Sequence, residues 1–324
     1  MISTTLGAAG AWTWHPHVIP WTMLAAASLA ATLVHRRLQR SSSHPQPWAR
    51  SRVLRFAGAM GLTAVCLGWP LGDLAAHWSL CALVLQRCLL VLAVAPLLLA
   101  GLPDDLIRWM TRPAPVDACL IRVLRPPVAV LTVTVLLVGS MLPGLVAAQS
   151  SSVAARGGLA LVVLAAGIIL WLPVMGRIPG IPRPRPMIRA VYLVAQSVVP
   201  VFLSFLYILA TKPLYPSFSR SVDVVHLLPL NDQQVAGFVS KLSFVLVLLA
   251  VAGVVLARAP DTDDDLGPED PLSWADVERH FERVDRHGQA MAEPDTGGPA
   301  GPGDLPAGSQ GEGDPGADRG PTTE

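Results

Sequence analysis

Seven continuous apolar runs, each close to the length of a bilayer-crossing helix, leave this chain few ways to fold. They lie near Val18–His35, Val53–Leu71, Trp78–Ala100, Pro127–Ala148, Gly158–Met175, Ala190–Ala210 and Ala236–Ala257. At 1.5 Å of rise per residue, such a run approaches or exceeds the roughly 30 Å hydrocarbon core. Lipid offers backbone amides no hydrogen bonds, so a spanning segment must satisfy them internally or within a closed barrel. The runs are continuous where a barrel strand would alternate, and helices follow. The expected fold class is an all-α integral membrane protein, a bundle of about seven transmembrane helices. A 52% hydrophobic and 15% charged composition with a mean hydropathy of +0.49 agrees, and argues against a soluble domain.

Loop charge gives the bundle a direction, because Lys and Arg are retained on the cytoplasmic side. The first loop carries Arg36, Arg37, Arg40, Arg50, Arg52 and Arg55, the third Arg108, Arg112, Arg122 and Arg125, and the fifth Arg177, Arg183, Arg185 and Arg189. The second loop has no basic residue, the fourth only Arg156, and the sixth Lys212 and Arg220. This alternation sets the N-terminus outside and the C-terminus in the cytoplasm. Residues 1–16 hold no Lys or Arg, so the first run reads as a retained helix rather than a cleaved signal. Few lysines against many arginines, with abundant Ala, Gly and Pro, point to a GC-rich bacterium and hence to its plasma membrane.

The chain therefore divides into a transmembrane region, 1–258, a juxtamembrane segment, 259–287, and a tail, 288–324. In the second, Ser273 and Asp276 bracket an approximate capping box, and Trp274, Val277, Phe281 and Val284 share one helical face. The tail is rich in Gly, Pro, Asp and Glu and has too little apolar surface to offset the entropy of ordering, so it is expected to be disordered. Acid gathered there balances arginine elsewhere, and the net charge of +1 gives no indication of nucleic-acid binding.

Three groups of residues stand out chemically. His15, His17 and His77 flank spans at the outer face, and Cys66, Cys81, Cys88 and Met141 lie in the outer halves of three spans. Imidazole, thiolate and thioether are ligands for copper, so these residues could form an outward-facing copper site. Equally, Cys and Met pack as small or adaptable apolar residues, and a half-wet His suits an interface. No CxxC pair indicates a disulfide framework or a zinc knuckle. Arg87, with Gln86 beside it, sits well inside the third span, where an unpaired charge costs roughly 2.5 to 3.5 kcal/mol. It marks either a functional site or a structural lock between helices, with Asp73 and Asp232 the nearest acidic partners. Asn231-Asp232-Gln233-Gln234 opens the seventh span, where Asp caps free amides and Ala236 with Gly237 allows close helix contact. Pro96, Pro143, Pro173 and Pro200 are expected to kink or end helices. No cluster joins a nucleophile to a positioned base, so no enzyme is expected.

Taken in order, several short motifs resemble the CtaG family of bacterial cytochrome c oxidase assembly factors, over roughly Trp14 to Arg286. They are Pro96-Leu-Leu-Leu-Ala-Gly101-Leu-Pro103, Gly167 with Trp171-Leu-Pro173, Tyr215-Pro216, and Asp232-Gln233 with Ala236-Gly237. The resemblance implies a multi-spanning, non-enzymatic factor that matures a heme-copper oxidase, with an oxidase subunit as partner and its copper centre as the place of action. Where the family typically shows His-x-x-Gln-His in the third span, this chain reads Leu83-Val-Leu-Gln86-Arg87, and Gly157-Gly158-Leu159 stands where a further histidine is usual. This member therefore uses Cys81, Cys88 and His77 as ligands or binds no metal. Copper transport or sequestration in the plasma membrane is the alternative function.

Overall fold

The computed structural model describes residues 18–41, 47–178, 183–219 and 221–259. His15, His17, the juxtamembrane helix and the acidic tail lie outside the described residues. Among those described, every regular element is helical: α1 (Val18–Arg40), α2 (Arg50–Leu67), α3 (Leu71–His77), α4 (Leu80–Leu89), α5 (Ala95–Gly101), α6 (Asp104–Thr111), α7 (Ala114–Val123), α8 (Pro126–Ser140), α9 (Pro143–Ser151), α10 (Val153–Met175), α11 (Pro186–Leu209), α12 (Val222–Val225) and α13 (Pro229–Ala257). A π-helical stretch, Leu90–Val94, joins α4 to α5, and a 3₁₀ turn, Pro216–Phe218, follows α11.

Helix ends follow local chemistry. Proline stands at the start of α8, α9, α11 and α13, where its missing N–H would have had no partner and its φ suits a helix. Ser79 and Ser152 cap α4 and α10 by accepting from the amides of Ala82 and Ala155, three residues on. Gly176 closes α10 in the left-handed conformation, at φ +59°.

Among the described residues five helical segments are long and apolar enough to cross a membrane: Arg50–His77, Leu80–Gly101, Val153–Met175, Pro186–Leu209 and Pro229–Ala257. The fourth expected run, Pro127–Ala148, is not one helix. It breaks at Met141–Leu142, because Pro143 cannot continue the ladder and Leu142 before it is extended, at ψ 134°. Its other end is bent too, since α7 and α8 meet at 95° and pass the length and hydropathy test only as a pair. The first run does form α1, 23 residues long, although it is not among the five.

Leu80–Gly101 is the centre of the bundle. Of its most apolar window 56% is buried inside the protein, against 22–44% for the other four. α2, α3, α10 and α13 all pack on this segment, and α11 with α13 forms the most extensive single helix pair. Lipid tails are as apolar as leucine, so helices in a membrane are held by close fit and interhelical hydrogen bonds. The fit is made by small residues. A Cβ on Gly101 would stand 2.5 Å from the Phe56 nitrogen, one on Gly167 2.9 Å from Val91 Cα, and one on Gly237 2.9 Å from the Ser204 carbonyl. Ala59, Ala129, Ala166 and Ala236 are likewise fully buried.

The arginine-bearing loops meet at one end. Arg52 Nη1 and Arg177 Nη2 reach the two Asp104 oxygens, at 2.8 and 3.1 Å. Asp105 accepts from Gln39 and lies 3.3 Å from His35 Nδ1, tying α1 to α6. Trp48 Nε1 donates to the Gly101 carbonyl at 3.0 Å. The first, third and fifth loops therefore share an end, as the charge alternation requires. Gly101→Ala is expected to destabilise the bundle by about 1–3 kcal/mol through overpacking, whereas Gly58→Ala, into open space on the same α2 that Gly101 packs against, leaves it within error. Thermal unfolding in detergent reads both.

Candidate functional site

Three interruptions of helix, two toward the opposite end and one midway along the central segment, are each closed by buried polar side chains. The first is the start of α4. Asp232, on the first turns of α13 and 1% exposed, accepts from Ser79 Oγ and from the Leu80 amide, both at 2.7 Å. The residue expected to cap its own helix thus caps the neighbouring one, and pins the N-termini of the third and seventh runs together. Its neighbour Gln233 accepts from the Leu214 amide at 2.7 Å and donates to the Tyr207 carbonyl at 3.3 Å, fixing the loop between α11 and α13.

The second interruption is the break between α8 and α9, whose last carbonyls have no helical donors. Arg87, 6% exposed, donates through Nη1 to the Ser140 carbonyl at 2.8 Å and to Ser140 Oγ at 2.9 Å, and through Nη2 to Gln149 Oε1 at 3.1 Å. Tyr215 donates to the Met141 carbonyl at 2.7 Å. That bond uses the only Tyr215 proton, so Tyr207, 2.9 Å away, is the donor in the tyrosine pair. Burial raises the Tyr215 phenol above the ordinary tyrosine range, opposed by the Tyr207 hydrogen bond and the Arg87 charge, and keeps it a neutral donor.

Neither carboxylate expected to neutralise Arg87 makes one of these bonds. Asp232 is committed to α4, and the Asp73 charge bears on His77 and Arg156. The guanidinium is held instead by the negative end of the α8 dipole and by neutral oxygens, an accepted partnership for an ion inside a membrane protein.

The third interruption is the π-helical stretch. Here the Ala95 amide donates five residues back, to the Leu90 carbonyl. The next donor in that register, Pro96, has no N–H to offer the Val91 carbonyl. Trp171 Nε1 supplies it from α10, at 2.8 Å. Gly167, one turn earlier, lets the two backbones approach closely enough for that bond. One turn on, around Pro173, Tyr192 donates to the Leu170 carbonyl at 3.1 Å and accepts from Gln196.

Beside Arg87 a half-open cleft runs between α4, α8, α11 and α13, with Cys88, Ser140, Met141, Gln196 and Ser240 among its walls. It gathers two of the expected sulfur ligands. Of the others, the Cys66 carbonyl accepts from Gln86 at 2.5 Å, His77 Nε2 sits 3.3 Å from Arg156, and Cys81 is half-buried against the core, while Cys88 in the cleft is hydrogen-bonded to Ser243. Among the described residues no three His, Cys, Asp or Glu side chains come together as a metal site would require. Two sulfurs facing a guanidinium do not fit a metal cation either, and no step is derived through copper. Ser79, Ser140, Gln149, Asp104, Asp105 and His35 complete these arrangements without having stood out in the sequence. Only the Asp104-Asp105 pair after Pro103 carries a local signal, acid in a first helical turn.

Besides Arg87, several of the residues that close the breaks are those of the short motifs, Trp171, Tyr215, Asp232 and Gln233 among them. The model of the cytochrome c oxidase caa3 assembly factor family (Caa3_CtaG) matches residues 8–260. The chain belongs to that family. Its match coincides with the compact unit Met1–Pro260 and ends short of Arg286, leaving the amphipathic segment outside. No curated protein and no solved structure matches the chain. In this caa3 assembly factor, Trp171→Phe keeps most of the ring bulk but leaves the Val91 carbonyl unpaired, a loss of about 1–3 kcal/mol. Ser79→Ala and Asp232→Ala share one bond, so their double variant is expected to lose less stability than the sum of the two. Denaturant or thermal unfolding in detergent measures each.

Proposed function

We propose that this protein assembles a heme-copper cytochrome c oxidase without catalysis of its own, by holding an oxidase subunit in the bacterial plasma membrane. The observation that carries the reading is the family match over residues 8–260. The interruptions leave a cleft between α4, α8, α11 and α13, and both α8 and α11 present large exposed apolar residues such as Leu131, Val135 and Phe202. A helix of the client can approach through lipid there without unfolding either partner.

The same reading takes α1 and the broken fourth run, α8 with α9, as crossings, seven in all with the N-terminus outside. Reporter fusions in the six loops would then alternate in activity, and two successive loops on one side would refute it. The copper-handling alternative rests on Cys88 and Met141 in the cleft. Deleting the gene in its host is expected to lower oxidase activity and the heme a signal, both restored by wild type and by Cys88→Ser with Met141→Leu. Unchanged oxidase in the deletion strain overturns the assembly role. Failure of the sulfur-free variant to restore it, together with copper in the purified wild type alone, moves the function to copper.

A further inference from the structure

The elbow formed by α6 and α7, between the central segment and α8, is a surface that the oxidase reading does not use. α7 is ten residues long with only Asp117 and Arg122 charged, yet none of its residues is buried in the protein. Val116 is 39% and Ile121 47% exposed, Cys119 is exposed, and Leu120 alone is packed against the core. Its main neighbours are α6 and α8, on either side of it in the chain. A helix this apolar with no protein cover has to be solvated by something other than water.

Its direction says by what. α7 meets α8 at 95°, so with α8 running alongside the long helices α10 and α11 that it packs on, α7 runs across them, in the plane of a membrane they would span. The elbow also belongs to the arginine-bearing end, since α6 begins at Asp104 with its ion pairs to Arg52 and Arg177. Exposed Arg108 and Arg112 are one turn apart, and exposed Arg122 and Arg125 follow on the other limb. Trp109 is 47% and Met110 54% exposed between them. Apolar and aromatic groups at the acyl boundary with a rim of arginine form the pattern of an interfacial helix that takes anionic headgroups.

We propose that α6 and α7 form an in-plane lipid anchor: α7 lies in the headgroup–acyl boundary, and Arg108, Arg112, Arg122 and Arg125 bind the phosphates of anionic phospholipid. This holds whichever protein the factor serves. Cys119, the exposed cysteine of α7, is the probe. The full chain is labelled there with an environment-sensitive fluorophore in phosphatidylcholine nanodiscs, with and without phosphatidylglycerol, and the Cys119→Ser protein sets the background. Bromine on the lipid acyl chains is expected to quench the label, and iodide in the water to leave it bright. Native mass spectrometry is expected to show phosphatidylglycerol enriched around the wild type, by about fivefold for each arginine engaged. That enrichment should fall away in the R108Q/R112Q/R122Q/R125Q protein, or stepwise in the R108Q/R112Q and R122Q/R125Q pairs if the quadruple variant does not fold. Quenching by iodide alone overturns the anchor, as does a Cys119–Cys119 cross-link without lipid quenching, which would give the face to a second copy. Undiminished enrichment in variants that elute and melt as wild type overturns the role of the arginines.

Discussion

The absence of water from a membrane interior governs this molecule, because every helix break there exposes backbone groups that only the protein can satisfy. A bundle of unbroken helices would avoid the difficulty. This one breaks at the start of α4, at the π-helical stretch before Pro96 and at Met141–Leu142. At each break a side chain from elsewhere in the chain supplies what the backbone lost: Asp232 to the Leu80 amide, Trp171 to the Val91 carbonyl, Arg87 to the Ser140 carbonyl and Tyr215 to the Met141 carbonyl. An unmade bond of this kind costs about 1–3 kcal/mol, against a net gain nearer 1 for one that is made. These contacts therefore act mainly as conditions on which helix may sit beside which.

The breaks also explain why the polar residues of the bundle lie where they do. A guanidinium in hydrocarbon is tolerable only where oxygens converge, and the frayed end of α8 offers two Ser140 oxygens and a helix dipole of the right sign. With Asp232 committed to α4, the positive charge of Arg87 faces a cleft containing no carboxylate among its lining residues. The cleft is thus mostly apolar, with Arg87, Ser140, Gln196 and Ser240 each adding a polar group from a different helix.

Much of this architecture was readable from hydropathy and loop charge, since length and apolar content are local properties. The shared end of the arginine loops is of that kind, as is the close contact at Gly237. What was not readable is pairing across the sequence. Asp232 looked like a cap for its own helix, because a carboxylate near an N-terminus always does. That it caps Ser79 and Leu80, 152 residues away, follows only from the packing of α13 on α4. The Arg87 partners failed for the opposite reason: a search for opposite charge passes over Ser140 and Gln149, whose attraction lies in the break beside them. The fourth run showed a third limit: it is apolar on average, but Pro143 divides it into two helices.

The two ends of the bundle are held by different forces, and that difference bears on how a client could be accommodated. At the arginine-bearing end the pairs to Asp104 are partly solvated, with Asp104 48% exposed, and such pairs contribute roughly 0–1 kcal/mol each. Burial lowers the charge affinity of Arg177 there, Asp104 opposes that, and the nearby Arg52 and Arg55 charges add to it, so little net attraction is left. At the other end the contacts are buried, neutral or charge-to-dipole, and each is costly to break. Movement on meeting a partner therefore belongs to α1, α6 and the loops at the arginine end. The Arg87, Tyr215 and Asp232 network holds the cleft in one shape, which is the pre-organisation a docking surface within lipid requires.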